Sequence, residues 1–306
     1  MGFVVTELTD YVKTNQDALV KSAVLGEEYG DVIPYLRHQL GVKTKEKLNL
    51  LDVDPELQSY DNCGFSASGS TTFSEREIDT AQIKVNDKWC PRDLLGKFAE
   101  YQVGIGASDN PLPFGEVITS EIVRKVNDKM EKLVWQGDSD SDLMDGFLKR
   151  ASETDAASTV AVSIASGTSV YDAIKAVINK IPEVILDRAI VFVSPALYRA
   201  FVFEMVEKNL YHFSPNAEVQ DVDIYFPATN VRVHKTKGLT GDLKHIYASV
   251  YENMVYGTDL LDNQEDFKLW FSDDDDVWKL KMSWNAGVQT IYPDMVVLGT
   301  AAANLA

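Results

Sequence analysis

Residues Pro113 to Asp138 read PFGEVITSEIVRKVNDKMEKLVWQGD, and their spacing predicts the one long, uninterrupted helix of the chain. Apolar residues recur at Ile118, Ile122, Val123, Val126, Met130, Leu133 and Val134, steps of three and four that lay one stripe along one face. Glu121 stands four residues ahead of Lys125 and Asp128 four ahead of Lys132, the order that supports an exposed helix flank. Pro113 before the start and Gly137 past the end supply the punctuation. At about 1.5 Å per residue the helix would run roughly 30 Å, the diameter of a domain. Such a helix is expected to give shape and to take no part in chemistry.

The rest of the composition agrees with a shape-giving protein. A chain of 306 residues, 45% hydrophobic and 25% charged, fits a soluble globular protein of one large or two to three small domains. No run of about eighteen apolar residues occurs, and MGFVVTELTD lacks the basic flank of a signal peptide, so neither membrane insertion nor secretion is expected. Met1-Gly2 with Thr6 matches the short myristoylation pattern, one that arises often by chance. Cys63 and Cys90 are too few and too far apart for a zinc knuckle or redox motif, and are expected as two free thiols. The formal charge of -18 argues against bulk attraction to nucleic acid.

Toward the N-terminus, Leu8 to Val24 carries an amphipathic pattern with Thr9 as a cap. The irregular, basic continuation to Lys47 makes the first forty-odd residues an expected arm lying on another surface. Leu48 to Val53 alternates weakly, and from there to Trp89 there is no packed-core signature. Gly64-Phe65-Ser66-Ala67-Ser68-Gly69-Ser70 is a flexible tip, and Phe73 to Val85 a second, β-rich flank, so the segment reads as a long hairpin. A lone hairpin is marginal in water, so it needs cover, either another surface or its own domain.

Toward the C-terminus, SDSDLMDG after Asp138 reads as a domain boundary. Ser169 to Ile181 is helical with Pro182 past its end, Ala189 to Val193 is a buried strand, and Ser194-Pro195 opens a helix through Leu197, Phe201, Met205 and Val206. Val231 to His234 and Ile246 to Val250 are strands, with a turn at Gly238 to Gly241. Phe267, Leu269 and Phe271 share one strand face, and Trp278, Leu280, Met282 and Trp284 share the next, with Lys279, Lys281 and Ser283 opposite. Asp273-Asp274-Asp275-Asp276 joins the two, and Met295 to Leu298 is a last strand.

Chemistry is hard to find. His38, His212, His234 and His245 are scattered, and no G-x-S-x-G elbow, phosphate-binding glycine loop or H-E-x-x-H occurs. Gly104-Ile105-Gly106 is too short for a dinucleotide loop. The aspartate run is either a Ca²⁺ or Mg²⁺ ligand cluster or a solvated turn, and its consecutive spacing favours the turn. No catalytic, cofactor-binding or metal residue is assigned, and no cofactor is expected.

The order of parts, with Trp89-Cys90-Pro91-Arg92-Asp93-Leu94-Leu95, the helix ending in Trp135-Gln136-Gly137-Asp138, and Val191-Phe192-Val193-Ser194-Pro195, resembles the major capsid proteins of tailed bacteriophages. That resemblance implies the α+β Hong Kong 97-like fold. Its parts would be an N-terminal arm (1–47), an extended loop (48–95), a peripheral domain with the spine helix and terminal β-strands (96–142 and 251–306) and an α/β axial domain (143–250). It implies a non-enzymatic subunit that self-assembles as hexamers and pentamers into an icosahedral shell. The shell would enclose double-stranded DNA without sequence-specific binding, with scaffolding, portal and decoration proteins as partners and no membrane. The site would be the virion, with synthesis in the host cytoplasm. Relatives often carry a cleaved scaffolding segment; only a short arm stands here, implying a separate scaffold or a mature chain. Some relatives crosslink through a loop lysine, for which Lys84 and Lys88 lie in the right region. An encapsulin-like compartment protein is the alternative, and a metal-dependent enzyme using Asp273 to Asp276 the remote one.

Overall fold

The computed structural model describes residues 15, 18–26, 28–57, 68–90, 114–140, 143–210, 224–259 and 268–305. A helix α1 covers residues 18–24, and the long helix α2 spans Phe114–Gln136, close to the expected bounds. Of the predicted stripe, Val123, Val126, Met130 and Val134 are buried, and Ile122 and Leu133 pack beside them. The enclosure goes further than the stripe, for Thr119, Asn127, Glu131 and Trp135 are fully buried too. The flanking ion pairs run through Arg124, to Glu121 and Asp128, instead of through Lys125 and Lys132.

Glu131 is the decisive side chain of α2. The backbone N–H groups of Asp31, Val32 and Ile33 donate to its Oε1 at 2.8, 2.9 and 3.1 Å. These donors open the 3-10 turn Ile33–Tyr35, so a carboxylate from a distant helix satisfies amides that a helix start leaves unpaired. Burial pushes the Glu131 carboxyl above its ordinary range, against the pull of the three N–H donors. Beside it, burial would lift Asp31, but His234, whose Nε2 lies 3.4 Å away, and the Lys237 N–H at 2.7 Å outweigh it and hold Asp31 low.

Two sheets flank this junction. The first contains β1 (Arg37–Leu40), β4 (Ala81–Trp89), β10 (Met254–Thr258), β11 (Lys268–Ser272) and the 14-residue β12 (Val277–Thr290). β12 pairs antiparallel with β4, β10 and β11, and β1 adds on parallel to β10. Its alternation is as predicted: Trp278, Leu280, Met282 and Trp284 are buried in the same cluster as the apolar face of α2. The second sheet runs β5-β13-β9-β6-β8-β7. Its strands are β5 (Val160–Ile164), β6 (Ile190–Val193), β7 (Ile224–Tyr225), β8 (Arg232–Lys235), β9 (His245–Ser249) and β13 (Val297–Ala301).

Helices α4 (Val170–Ile178) and α5 (Pro195–Glu207) pack in the second cluster; the short α3 (Phe147–Lys149) follows α2. Both start where the sequence placed them. The Ser169 hydroxyl accepts from the Asp172 N–H, and that of Ser194 from the Leu197 N–H with Pro195 next.

Three expectations are corrected. The arm assigned to 1–47 is core from Val20 onward: Val20, Ala23, Val24, Val32, Ile33 and Leu36 are buried against α2 and the first sheet. The reason is the Glu131 tether, which holds this segment on its own domain. The polar stretch after Asp138 is no boundary. Met144 and Phe147 fold back onto Trp135, whose ring centre lies 5.6 Å from that of Phe147, and Lys149 gathers Asp138, Asp140 and Asp145. Nor do all the terminal strands join the first sheet, since β13 lies between β5 and β9 in the second, with its Leu298 reaching the cluster of α2.

Gly238, in the 3-10 turn Lys237–Leu239, fastens α2 to the second sheet. A Cβ there would stand 2.1 Å from Trp135 Cδ1 and 2.5 Å from the Glu131 carbonyl oxygen. Gly238→Ala is therefore expected to cost at least about 2 kcal/mol in urea unfolding, as overpacking of a close contact does. A second expectation follows from Glu131. Its raised carboxyl binds a proton more readily in the folded chain, so its contribution to stability falls as pH rises above the ordinary carboxylate range. The free energy of unfolding of Glu131→Gln, compared with wild type at pH 5 and pH 8, should shift in favour of the variant at the higher pH. An unchanged difference would show that the carboxyl is not linked to folding.

Candidate assembly surface

A hairpin of β2 (Lys45–Pro55) and β3 (Gly69–Asp79) leaves the body over the outer face of the first sheet. Even-numbered residues of both strands face the sheet at the base. Leu48, Leu50 and Ile78 are buried with Val42, Val255 and Ile291. The approach is close: a Cβ on Gly287 of β12 would lie 2.1 Å from the Asp79 carbonyl oxygen, and one on Gly257 of β10 would lie 2.7 Å from Ile78 Cδ1. Polar contacts fix the angle. Arg76 meets Asp155 at 2.6 Å and Gln289 at 3.4 Å, and the Gln289 amide donates to the Glu77 carbonyl at 2.6 Å.

Beyond Leu50 the hairpin has no cover of its own. Leu51 and Phe73 stand opposite each other in the register yet are 52% and 80% exposed, and Leu57 is 98% exposed. Asp52, Val53, Asp54, Pro55 and Glu56 are exposed as well. On the upper face of the base, Lys45 pairs with Asp79 and Lys47 with Glu75. An uncovered apolar pair midway along a ribbon about 36 Å long is what a partner surface would bury.

The expected hairpin is thus real, but its second flank is shorter than Phe73 to Val85. The chain turns at Thr80 and β4 enters the first sheet, with Ile83 buried, so this stretch does carry core residues. The base lies on its own domain and only the outer part needs another surface. Residues 58–67 of the tip, with Cys63, lie outside the described residues, as do His212, Gly104 to Gly106 and the motif from Pro91 to Leu95.

Among the other candidates, Asp273 to Asp276 form an exposed turn between β11 and β12 in which Asp275 pairs with Lys279. Among the described residues no group of three or more His, Cys, Asp or Glu is arranged to hold a metal ion. His245 Nδ1 lies 2.8 Å from Asp242, and His234 faces Asp31, so both serve local structure. Cys90 is a half-buried free thiol, and Lys84 and Lys88 are exposed on β4. The sequence reading missed Arg76, Asp155 and Gln289. They are separated by up to 213 residues, and no local pattern joins them.

No protein-family model and no curated protein matches the sequence. Solved structures do. A chain of the satellite phage P4 procapsid that includes the size determination (Sid) protein is 13% identical, with TM-score 0.62 over 100% of this chain and 94% of that one. The capsid of an empty GTA particle is 12% identical, with TM-score 0.57 over 90% and 91%. The SrpI encapsulin of Synechococcus elongatus is 12% identical, with TM-score 0.54 over 87% and 85%. The chain has the mixed helix and sheet fold of phage capsid proteins.

If the Arg76 contacts set the hairpin angle, Arg76→Met leaves the half-buried Asp155 carboxylate without its ion-pair partner and loosens the base. Amide exchange in β2 and β3 should accelerate at least about tenfold while amides of β12 opposite β4 keep their protection. Uniform acceleration everywhere would mean that the pair serves global stability alone.

Proposed function

We propose that the chain is the major capsid protein of a tailed bacteriophage, a structural subunit without catalytic activity. Copies would assemble as hexamers and pentamers into an icosahedral shell of the Hong Kong 97 type around double-stranded DNA. The observation that carries this reading is the hairpin: anchored at its base and bare beyond Leu50, on a fold that matches capsid proteins over nearly the whole chain. A ribbon of this shape gains its cover from a neighbouring copy, and heterologous contacts of that kind close into rings. The reading divides the chain into a peripheral part, formed by α2 and the first sheet, an axial part, formed by the second sheet with α4 and α5, and the extended loop. Scaffolding, portal and decoration proteins are its expected partners and the virion its place. Among the described residues no helix is long and apolar enough to cross a membrane.

A cellular compartment shell is the second reading, favoured by the match to an encapsulin. Particles purified from the producing cell separate the two, since nuclease-resistant DNA inside supports the phage reading and an enzyme cargo the compartment reading.

The hairpin itself gives the direct test. Replacing residues 52–72 by a short Gly/Ser linker keeps Leu48, Leu50, Arg76, Ile78 and all of β4. Because loop-closure entropy changes slowly with length, the variant should melt cooperatively and near wild type. It should form no closed particles by sedimentation and electron microscopy where the full chain does. Normal shells from the shortened chain would refute the role given to the hairpin.

A further inference from the structure

Arg150 is a buried cation that nothing among the described residues holds. It opens the π-helical turn Arg150–Thr154 after α3 and is only 7% exposed. Its guanidinium nevertheless forms no ion pair and no hydrogen bond among those residues, and its Nε is enclosed without an acceptor. Burial accordingly pulls the guanidinium below its ordinary range. A buried charge is normally paired, because leaving water without a counter-charge is costly.

The charges that bear on Arg150 are Asp145, Asp79, Asp155 and Arg76. Asp145 stands just before α3, Arg76 and Asp79 lie on β3 at the hairpin base, and the Asp155 N–H closes the turn by donating to the Arg150 carbonyl at 2.7 Å. Two of the acids are already taken, Asp145 by Lys149 at 3.2 Å and Asp79 by Lys45 at 2.9 Å. What remains is two guanidinium groups against one carboxylate, and that carboxylate meets Arg76 through Oδ1 alone. Asp155 Oδ2, Arg76 Nε and the hydroxyl of Thr159 are buried with no partner of their own. Thr159 belongs to the same turn, since its N–H donates to the Asp155 carbonyl at 2.9 Å.

We infer that the root of the hairpin holds a small oxyanion carrying an acidic O–H, hydrogen phosphate or bicarbonate, with Arg150, Arg76 and Thr159 donating to it and its own O–H donating to Asp155 Oδ2. The excess of one buried positive charge calls for an anion. Guanidinium nitrogens match the spaced oxygens of an oxyanion better than they match a spherical ion. The free carboxylate oxygen selects further. Chloride, and sulfate at neutral pH, bring no proton and would face Asp155 Oδ2 as like charge, whereas a protonated oxyanion supplies the donor that oxygen lacks. An ion seated between Arg150 and Arg76 ties β3 to the turn after α3, and so stiffens the ribbon where it leaves the body. The inference goes beyond the shell reading and concerns the single chain, so neither depends on the other.

The test uses the full chain at neutral pH in sodium chloride, with ionic strength held at about 0.15 M throughout. Replacing part of the chloride by about 20 mM inorganic phosphate should raise the wild-type melting temperature by at least about 2 °C and slow amide exchange in β2 and β3 at least about threefold. Bicarbonate is the second arm, and an excess from either ion supports the inference and names the occupant. Sulfate is the control. It strengthens burial in general, so only the shift beyond that of sulfate at equal ionic strength counts. Arg150→Met removes the charge and its donors at similar volume, so the variant should melt no lower than wild type in chloride and should lose the excess shift. Broadening of the phosphate phosphorus resonance or of the bicarbonate carbon resonance by wild type reports binding without melting, and decides alone if the variant does not fold. Shifts in phosphate and bicarbonate no larger than in sulfate, an equal response of wild type and Arg150→Met, or unbroadened resonances overturn the inference.

Discussion

One carboxylate on one helix holds the body of this protein together. Glu131 is fully buried, it takes three backbone N–H donors from residues 31 to 33, and it does so from the middle of α2. A buried carboxylate without donors would cost several kcal/mol, and three amides at a helical start without an acceptor would cost a comparable amount. Each cost is reduced by the other group, the amides fully and the carboxyl in part, so the N-terminal segment and α2 are drawn together. Four residues on, Trp135 fits against Gly238 and packs its ring 4.9 Å from that of Phe192, which draws the second sheet to the same place.

A rigid body of this kind is the condition for a projecting ribbon. The hairpin base is held by apolar contact with Val255 and Ile291 and by the contacts of Arg76, and everything past Leu50 is extended by its own cross-strand pairing alone. Two-stranded ribbons are marginal in water, so exposed Leu51 and Phe73 are tolerable in a free chain only because the base is fixed. The same apolar pair would find its cover in the shell proposed above. Structures that share this fold over most of the chain are only 10% and 13% identical to it. Many residue choices satisfy one pattern of burial, so a fold outlasts its sequence.

The elements that the sequence determined by itself are those whose signals are local. Helix α2 follows from a stripe of period 3.6, the starts of α4 and α5 from Ser169 and Ser194 reaching amides three residues on, and the inward face of β12 from strict alternation. The hairpin and its uncovered end were legible for the same reason, as β-forming residues on either side of a Gly/Ser tip. Tertiary structure decided everything that joins residues far apart in the chain. Glu131 and Asn127 look like the solvent side of a helix until their surroundings, some hundred residues away, are in place. Asp155 has no visible reason to hold Arg76, and nothing in Val297 to Ala301 says which of two sheets the strand will enter. Periodicity tells a side chain which way to face, and only the folded chain supplies what it will find there.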